Sequence, residues 1–211
     1  KLDTQPEKKA RYFRILKEEG EHLLSLTNKV LTLSKLENHQ LKLEKDTCCV
    51  RSMLEDLAEK YKAKAVKHIV YKWNLQADTV YADEEFLKEA LSNLIDNAVK
   101  YSGDEVEITF SSGKLSNEYY IKVHDTGFGI PLKDQSKIFE KYERASAADR
   151  SRYGGSAGFG LGLNYVLRVA EVHGGRVTLE SIEGEYSEFT IYLPNREDAI
   201  DKTCLNTINE L

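Results

Sequence analysis

The sequence predicts an α+β fold, an α/β sandwich with helices on one face of a mixed sheet, preceded by one long helix. Three observations lead to it. Residues 8–37 carry one continuous helical pattern of apolar residues. From residue 50 onward, helical segments are interspersed with short alternating strands. The last two strands follow one another directly before Pro194. Strands that are joined partly by helices and partly by turns are typical of α+β domains.

The long helix opens the order of elements. Six of seven positions in an alternating four-three spacing are apolar, which is the seam of a coiled coil or helix bundle; the seven are Tyr12, Leu16, Glu19, Leu23, Leu26, Val30 and Leu33. Phe13, Leu24 and Leu31 widen the seam and favour a bundle. Pro6 suits the first helical turn. We therefore expect an antiparallel partner helix upstream, or a second subunit, to cover this stripe.

The remaining elements follow from the local periodicity. The expected helices span residues 50–66, 83–102 and 163–173, and the last of them is stopped by Gly174 and Gly175. The expected strands span residues 68–75, 79–82, 106–110, 119–124, 176–182 and 188–193. A glycine-bearing stretch from about 141 to 162 has little regular pattern, and the tail after Asn195 is left unassigned.

Composition narrows the classes of function. The chain has 211 residues, 41% hydrophobic and 31% charged, and its net charge is -5. Duplex-binding proteins usually carry a basic excess, so no nucleic-acid partner is expected. No apolar run approaches the roughly 18 residues that a membrane span needs. The chain begins at Lys1 without a leader pattern, so we expect an excised portion whose membrane connection lies in missing upstream segments.

The cysteines predict a reducing environment. Cys48, Cys49 and Cys204 give an odd count with two adjacent residues, which forms neither a disulfide framework nor a C-x-x-C metal spacing. Reduced thiols fit a cytoplasmic location.

Polar residues gather on one flank of the helix predicted at 83–102. Asn93, Asn97 and Lys100 fall within an arc of roughly 60°, beside an apolar stripe that contains Leu94. Amide oxygens suit Mg²⁺, which also takes phosphate oxygens, and a lysine supplies a point charge to phosphate. Taken alone, the two asparagines are equally well explained as surface amides.

Two glycine-bearing segments follow. In Asp125-Thr126-Gly127-Phe128-Gly129-Ile130, a carboxylate ends a strand and two glycines allow close backbone approach. Such a carboxylate can accept a hydrogen bond from an exocyclic amine, as on adenine; a glycine-containing turn is the alternative. The run 158–163 brings glycines to a helix N-terminus, which suits anion binding and a mobile lid. It is neither a Rossmann fingerprint nor a Walker loop.

Together, and in this order, these patterns resemble the ATPase module of the GHKL superfamily, with its Bergerat ATP-binding fold, and within it the histidine kinases. Residues 91–102 look like the N box, 125–130 match the G1 box, 138–144 the F box and 158–163 the G2 box. The segment 34–37 is similar to the close of the second dimerisation helix. In the turn 184–189 the family often has a second glycine where Tyr186 stands, so this turn is assigned no role.

The resemblance implies roles at matched positions. Asn97 would ligate Mg²⁺, Asn93 and Lys100 would contact the phosphates of ATP, and Asp125 would hold the adenine amine. The other residues expected near the nucleotide are Tyr101, Gly127, Gly129, Ile130, Lys141, Arg144, Gly158, Gly160, Leu161, Gly162 and Leu163.

The resemblance also implies an organisation and partners. Residues 1–45 would be the second helix of a dimerisation stem, 46–196 the ATP-binding catalytic domain and 197–211 an unassigned tail. This chain would be the cytoplasmic kinase portion of a membrane-anchored bacterial protein. The intact protein would form a homodimer through its helical stem. It would pass a phosphoryl group to an aspartate of a response regulator.

The phosphate-accepting histidine has no match in this chain. In the family it lies on the first stem helix, followed by an acidic residue and then a proline, and none of the five histidines (His22, His39, His68, His124 and His173) has that context. We expect it upstream of Lys1. Two other hypotheses stay open: a superfamily ATPase of another class, as in topoisomerases, mismatch-repair proteins or chaperones, and a degenerate dimeric scaffold.

Overall fold

The computed structural model describes residues 6–38, 40–65, 67–141 and 160–195. The chain forms two compact units, Lys1–Leu41 and Lys42–Leu211. The first contains helix α1, Pro6–Glu37, which confirms the long helix expected over 8–37. Many of its large apolar side chains are more than half exposed, among them Tyr12, Phe13, Leu16, Leu23, Leu24 and Leu31. Such a stripe is the face that an amphipathic helix offers to another helix.

The second unit contains every other element. Its helices are α2 (Val50–Lys64), α3 (Glu84–Lys100), α4 (Leu132–Gln135) and α5 (Gly162–Val172). Its strands are β1 (Asp46–Cys49), β2 (His68–Leu75), β3 (Thr79–Ala82), β4 (Glu105–Lys114), β5 (Glu118–Asp125), β6 (Arg176–Ile182) and β7 (Tyr186–Pro194). Five strands form a sheet in the order β2-β4-β5-β7-β6, and β1 and β3 form a separate antiparallel pair.

The sheet is mixed, as expected. Strands β2 and β4 run parallel, whereas β4–β5, β5–β7 and β6–β7 are antiparallel. Alternate residues of β4 are buried while their neighbours are partly exposed, so one face of the sheet is covered and the other meets solvent. Helices α2, α3 and α5 contact the strands, and Leu91, Leu94 and Val166 are among their buried side chains.

Two short elements were not predicted. Strand β1 buries only one of its four residues, Cys48, so its sequence lacks an alternating pattern. It forms because its backbone pairs with β3, a contact between distant segments. Helix α4 is a single turn after Pro131. Strands β4 and β7 also extend beyond the predicted bounds, because backbone pairing continues past the apolar core positions.

Helix α3 is tied down at both ends. At its N-terminus, Asp83 accepts a hydrogen bond from the Phe86 amide, 3.3 Å away, which is the expected role of an N-cap carboxylate. The Asp83 amide donates to Nε2 of buried His173, at the end of α5, over 2.9 Å. At the C-terminus, Lys67 donates to the carbonyl oxygens of Val99 and Ser102, each 2.7 Å away. These bonds fix the position of the polar residues that α3 carries.

Candidate nucleotide-binding site

Three segments meet at one end of the sheet: the C-terminal half of α3, the loop after β5 and the start of α5. The Phe128 amide donates to the Tyr101 carbonyl over 2.8 Å, which joins the loop to the end of α3. A Cβ atom placed on Gly162 would lie 3.3 Å from Oδ1 of Asn93, so α5 begins directly against α3. The structure thus brings together motifs that are far apart in the sequence.

Asp125 is the last residue of β5 and is only 5% exposed. Its Oδ1 accepts a hydrogen bond of 2.9 Å from the Gly127 amide. Burial raises the pKa of the Asp125 carboxyl to about 6, and the bond from Gly127 opposes this rise. At neutral pH the site therefore holds a buried carboxylate, an acceptor suited to an amine donor.

The glycines of this loop are required by the protein's own backbone. A Cβ on Gly127 would lie 2.5 Å from the Tyr101 carbonyl oxygen. Gly129 has a φ of 61°, and its Cβ would lie 2.0 Å from the Ile182 carbonyl oxygen. No side chain fits at either position without moving backbone. Close approach of these glycines to a ligand stays a prediction.

The three polar residues on the flank of α3 have different surroundings in the structure. Asn93 is buried, and its Nδ2 donates to the Glu89 carbonyl over 2.9 Å. Asn97 is half-buried, and within the described residues its side chain makes no hydrogen bond. Lys100 forms an ion pair of 2.5 Å with Asp96, one turn earlier. The amide of Asn97 is thus available to a ligand, whereas the lysine already has a partner.

The glycine-rich segment is described from residue 160 onward. Gly160 has a φ of 69°, Leu161 is buried, and Gly162 begins α5, followed by half-buried Leu163. Lys141 is exposed. The expected site residues Arg144 and Gly158 lie outside the described residues.

Three residues that hold the loop after β5 were missed by sequence reasoning. Ser181 accepts a hydrogen bond from the Ile130 amide, Gln135 donates to the Ile130 carbonyl, and the Gly184 amide donates to the Phe128 carbonyl. One signal was present in the sequence. Ser181 is the polar member of an alternating series with Val177 and Leu179 on β6. What it bonds to depends on tertiary structure.

Asn164 was missed as well. It is 3% exposed, and its Nδ2 donates to the Phe139 carbonyl over 2.8 Å. The Phe139 ring in turn packs edge-on against Phe189, with centroids 6.3 Å apart. The segment matched to the F box is therefore attached to α5 and to the sheet.

The described part of the chain shows neither a metal-binding cluster nor a membrane-spanning helix. It holds no group of three or more His, Cys, Asp or Glu side chains placed to bind a metal ion. No helix among these residues has the length and apolar character of a membrane span.

Comparisons with known proteins point to one family. Residues 82–197 match the family described as histidine kinase-, DNA gyrase B-, and HSP90-like ATPase. The sensor histidine kinase RppB of Synechocystis is 38% identical over 83% of this chain and 39% of its own length. The circadian input-output histidine kinase CikA of Synechococcus elongatus is 30% identical over 90% of this chain and 26% of its own length. The chain thus spans well under half of these relatives.

Solved structures show the same fold. Full-length ShkA in complex with AMPPNP superposes with a TM-score of 0.76 and 29% identity, over 92% of this chain and 40% of ShkA. The histidine kinase AdeS of Acinetobacter baumannii gives a TM-score of 0.71 and 26% identity, over 87% of this chain and 84% of that one. The chain therefore belongs to the histidine kinase-, DNA gyrase B- and HSP90-like ATPase family, and it carries the ATP-binding catalytic domain of the sensor histidine kinase type.

Proposed function

We propose that this chain binds Mg-ATP and transfers its γ-phosphoryl group to a histidine, from which the group passes to an aspartate of a response regulator. The observation that carries the proposal is the buried carboxylate of Asp125, at the end of β5, whose following loop lies against the C-terminal end of α3 at Tyr101. The ShkA structure, which resembles this chain, was solved with AMPPNP.

Asp125 would select the base. At neutral pH its carboxylate accepts hydrogen bonds and donates none. The exocyclic amine of adenine can donate to it, whereas guanine presents an oxo group at that position. Tyr101 and Ile130 flank the same loop and would pack near the nucleotide, and Gly127 and Gly129 would let the backbone approach it.

Asn97 would be the protein ligand of Mg²⁺, because its half-buried amide oxygen is not engaged by another described residue. When bound, the ion would neutralise charge on the phosphate oxygens. Asn93 and Lys100 would contact the phosphates. Lys100 would have to leave Asp96, but a partly exposed ion pair contributes only about 0–1 kcal/mol, so the exchange costs little.

The glycine-rich segment would cover the phosphates. Its backbone amides at a helix N-terminus suit anions. This role is proposed for Gly158, Gly160, Leu161, Gly162 and Leu163, with Lys141 and Arg144 nearby. Transfer itself would depend on positioning and charge neutralisation, because the chain needs no covalent intermediate of its own.

The proposal extends to the intact protein. Residues 1–45 would be the second stem helix and 46–196 the catalytic domain, while 197–211 stays unassigned. The exposed stripe of α1 would pack in a homodimeric stem that presents the acceptor histidine. The kinase portion would lie in the cytoplasm, connected to a membrane through other segments.

The test compares ATP and GTP as competitors of a fluorescent ATP analogue. A mismatched buried polar pair costs about 1–3 kcal/mol, so we expect ATP to bind on the order of 5- to 150-fold more tightly than GTP. Asp125→Asn should lose most of this preference, because the amide can also donate to the guanine oxo group. Asp104→Asn, at an exposed carboxylate, is the matched control. Equal binding of ATP and GTP by the unaltered chain would refute the assignment of Asp125.

A further inference from the structure

The hairpin formed by β6 and β7 contacts the loop that follows Asp125. The sequence alone predicted no function for the turn of this hairpin, Ile182–Tyr186. In the structure the Gly184 amide donates to the Phe128 carbonyl over 2.7 Å. Gly129 approaches Ile182 so closely that a Cβ would lie 2.0 Å from its carbonyl oxygen. The loop therefore lies directly against the hairpin backbone.

The hydroxyl group of Ser181 is central to this contact. Its Oγ accepts a hydrogen bond of 2.8 Å from the Ile130 amide and donates one of 2.7 Å to the Tyr186 carbonyl. An amide can only donate and a carbonyl can only accept, so the direction of both bonds is determined. Oγ of Ser187 lies 3.4 Å away, within reach of the same hydroxyl as a second acceptor. One hydroxyl thus links the loop to both strands of the hairpin.

A second tether supports the first. Nε2 of Gln135 donates to the Ile130 carbonyl over 2.8 Å and to the Ser181 carbonyl over 3.1 Å. Both polar groups of the Ile130 backbone are therefore held, one by Ser181 and one by Gln135. On the opposite side, the loop is joined to α3 through Phe128 and Tyr101. With both sides attached, the loop has little freedom to move relative to Asp125.

We propose that Ser181 is a positioning residue for base recognition, which acts through the Ile130 amide to hold the loop beside Asp125 in its binding geometry. The inference rests on the proposed function, because it assigns the base to this loop. Without the hydroxyl, the Ile130 amide loses the partner that the structure shows for it, and such a group regains a hydrogen bond by moving toward water. That movement would displace the backbone that surrounds Asp125.

The experiment compares Ser181→Ala with Ser181→Thr, which keeps the hydroxyl, and with Thr178→Ala, on the exposed side of the same strand. We expect Ser181→Ala to bind ATP about tenfold more weakly than the unaltered chain does, with a smaller loss of affinity for GTP. The ratio of ATP affinity to GTP affinity should therefore fall. Ser181→Thr should recover most of the affinity, and Thr178→Ala should bind as the unaltered chain does. Gln135→Ala, which removes the second tether from a one-turn helix, should give the same direction of change and serves if Ser181→Ala does not fold.

A second readout separates the two proposals. Hydrogen exchange of the Ile130 amide in the nucleotide-free protein should accelerate in Ser181→Ala and stay unchanged in Thr178→Ala. If the unaltered chain does not bind ATP, the proposed function fails, while the exchange data still test the tether. The positioning role is overturned if the exchange rate of the Ile130 amide is unchanged in Ser181→Ala. It is also overturned if Ser181→Ala loses no more affinity for ATP or GTP than Thr178→Ala does.

Discussion

The buried carboxylate of Asp125, which we propose binds the base, lowers the stability of the folded protein when it is ionised. Its pKa rises from 3.8 to about 6 in the folded protein. A raised pKa means that the neutral form is favoured by folding, so this contribution is full below about pH 3.8 and is lost as the pH rises through about 6. At about 1.4 kcal/mol per pH unit, the ionised group lowers the free energy of unfolding by about 3 kcal/mol at pH 7.

We therefore expect Asp125→Asn to be more stable than the unaltered chain at pH 7, by up to about 3 kcal/mol, although it binds ATP poorly. The asparagine oxygen can still accept the bond from Gly127, so the local structure is preserved. Urea unfolding at a series of pH values measures the difference, which should shrink as the pH falls from about 6 toward 4. A difference that does not vary with pH would show that ionisation of Asp125 is not its cause.

Asn97 is a residue whose loss should affect binding and leave the fold intact. Its side chain is half-buried and makes no hydrogen bond with any described residue. We expect Asn97→Ala to lose at least about tenfold in affinity for Mg-ATP, with little change in affinity for ATP in the presence of EDTA. Titration with and without Mg²⁺ measures both, and circular dichroism checks the fold. Asn74→Ala, at an exposed position of β2, is the control. An equal loss in both conditions would contradict a metal-ligand role.

At the level of elements, His173 connects the two helices that border the site. Its Nε2 accepts from the Asp83 amide at the start of α3, and its Nδ1 lies 2.7 Å from the Val169 carbonyl within α5. These partners require the neutral ring with the proton on Nδ1. Burial lowers the pKa of His173; nearby Lys45 lowers it further, whereas the Val169 bond and Asp83 raise it. Protonation would break the bond to Asp83.

The sign of this pKa shift is opposite to that of Asp125. Because the pKa of His173 falls below its ordinary value of 6.5 in the folded state, its contribution to stability is present above that pH and is lost as the pH falls. We expect His173→Gln, whose amide oxygen can still accept from Asp83, to lose less stability than the unaltered chain between pH 7 and pH 5. Both should be measured with Asp125→Asn present, which removes the opposing titration. Parallel pH curves would rule out the role of His173.

Helices and strands with a strong hydrophobic periodicity were predicted well from the sequence. Elements whose formation depends on pairing with a distant segment were not. Helix α3 followed from local pattern, and so did strands β2 and β6. Strand β1 did not, because its backbone pairing with β3 is independent of its side chains. In the site, the polar flank of α3 was readable from helical spacing. The tethers of Ser181 and Gln135 were not, because they depend on which loop the hairpin meets.

For the whole molecule, we expect ATP binding without self-phosphorylation. In-line transfer needs an acceptor at near-contact distance from the γ-phosphate. No histidine of this chain has the acceptor's sequence context; His68 and His124 lie on strands, and His173 is 3% exposed. Incubation with γ-labelled ATP should give no acid-labile, base-stable label above that of Asp125→Asn. Label on His22 or on any other histidine would show that the proposed division between catalytic unit and acceptor is wrong.

The order of strands in the sheet has a consequence for how the protein folds. Strands β4 and β5 are neighbours in sequence, as are β6 and β7, so each pair can form as a local hairpin within microseconds. The central pairing of β5 with β7 joins segments separated by residues 126–185 and must close a long loop, so we expect it to be the slow step of folding. That same pairing sets Asp125 opposite Ser187. We therefore expect the base site to be complete only after the folding transition state. Because ATP would then stabilise the native state and not the transition state, bound ATP should slow unfolding and leave the folding rate almost unchanged.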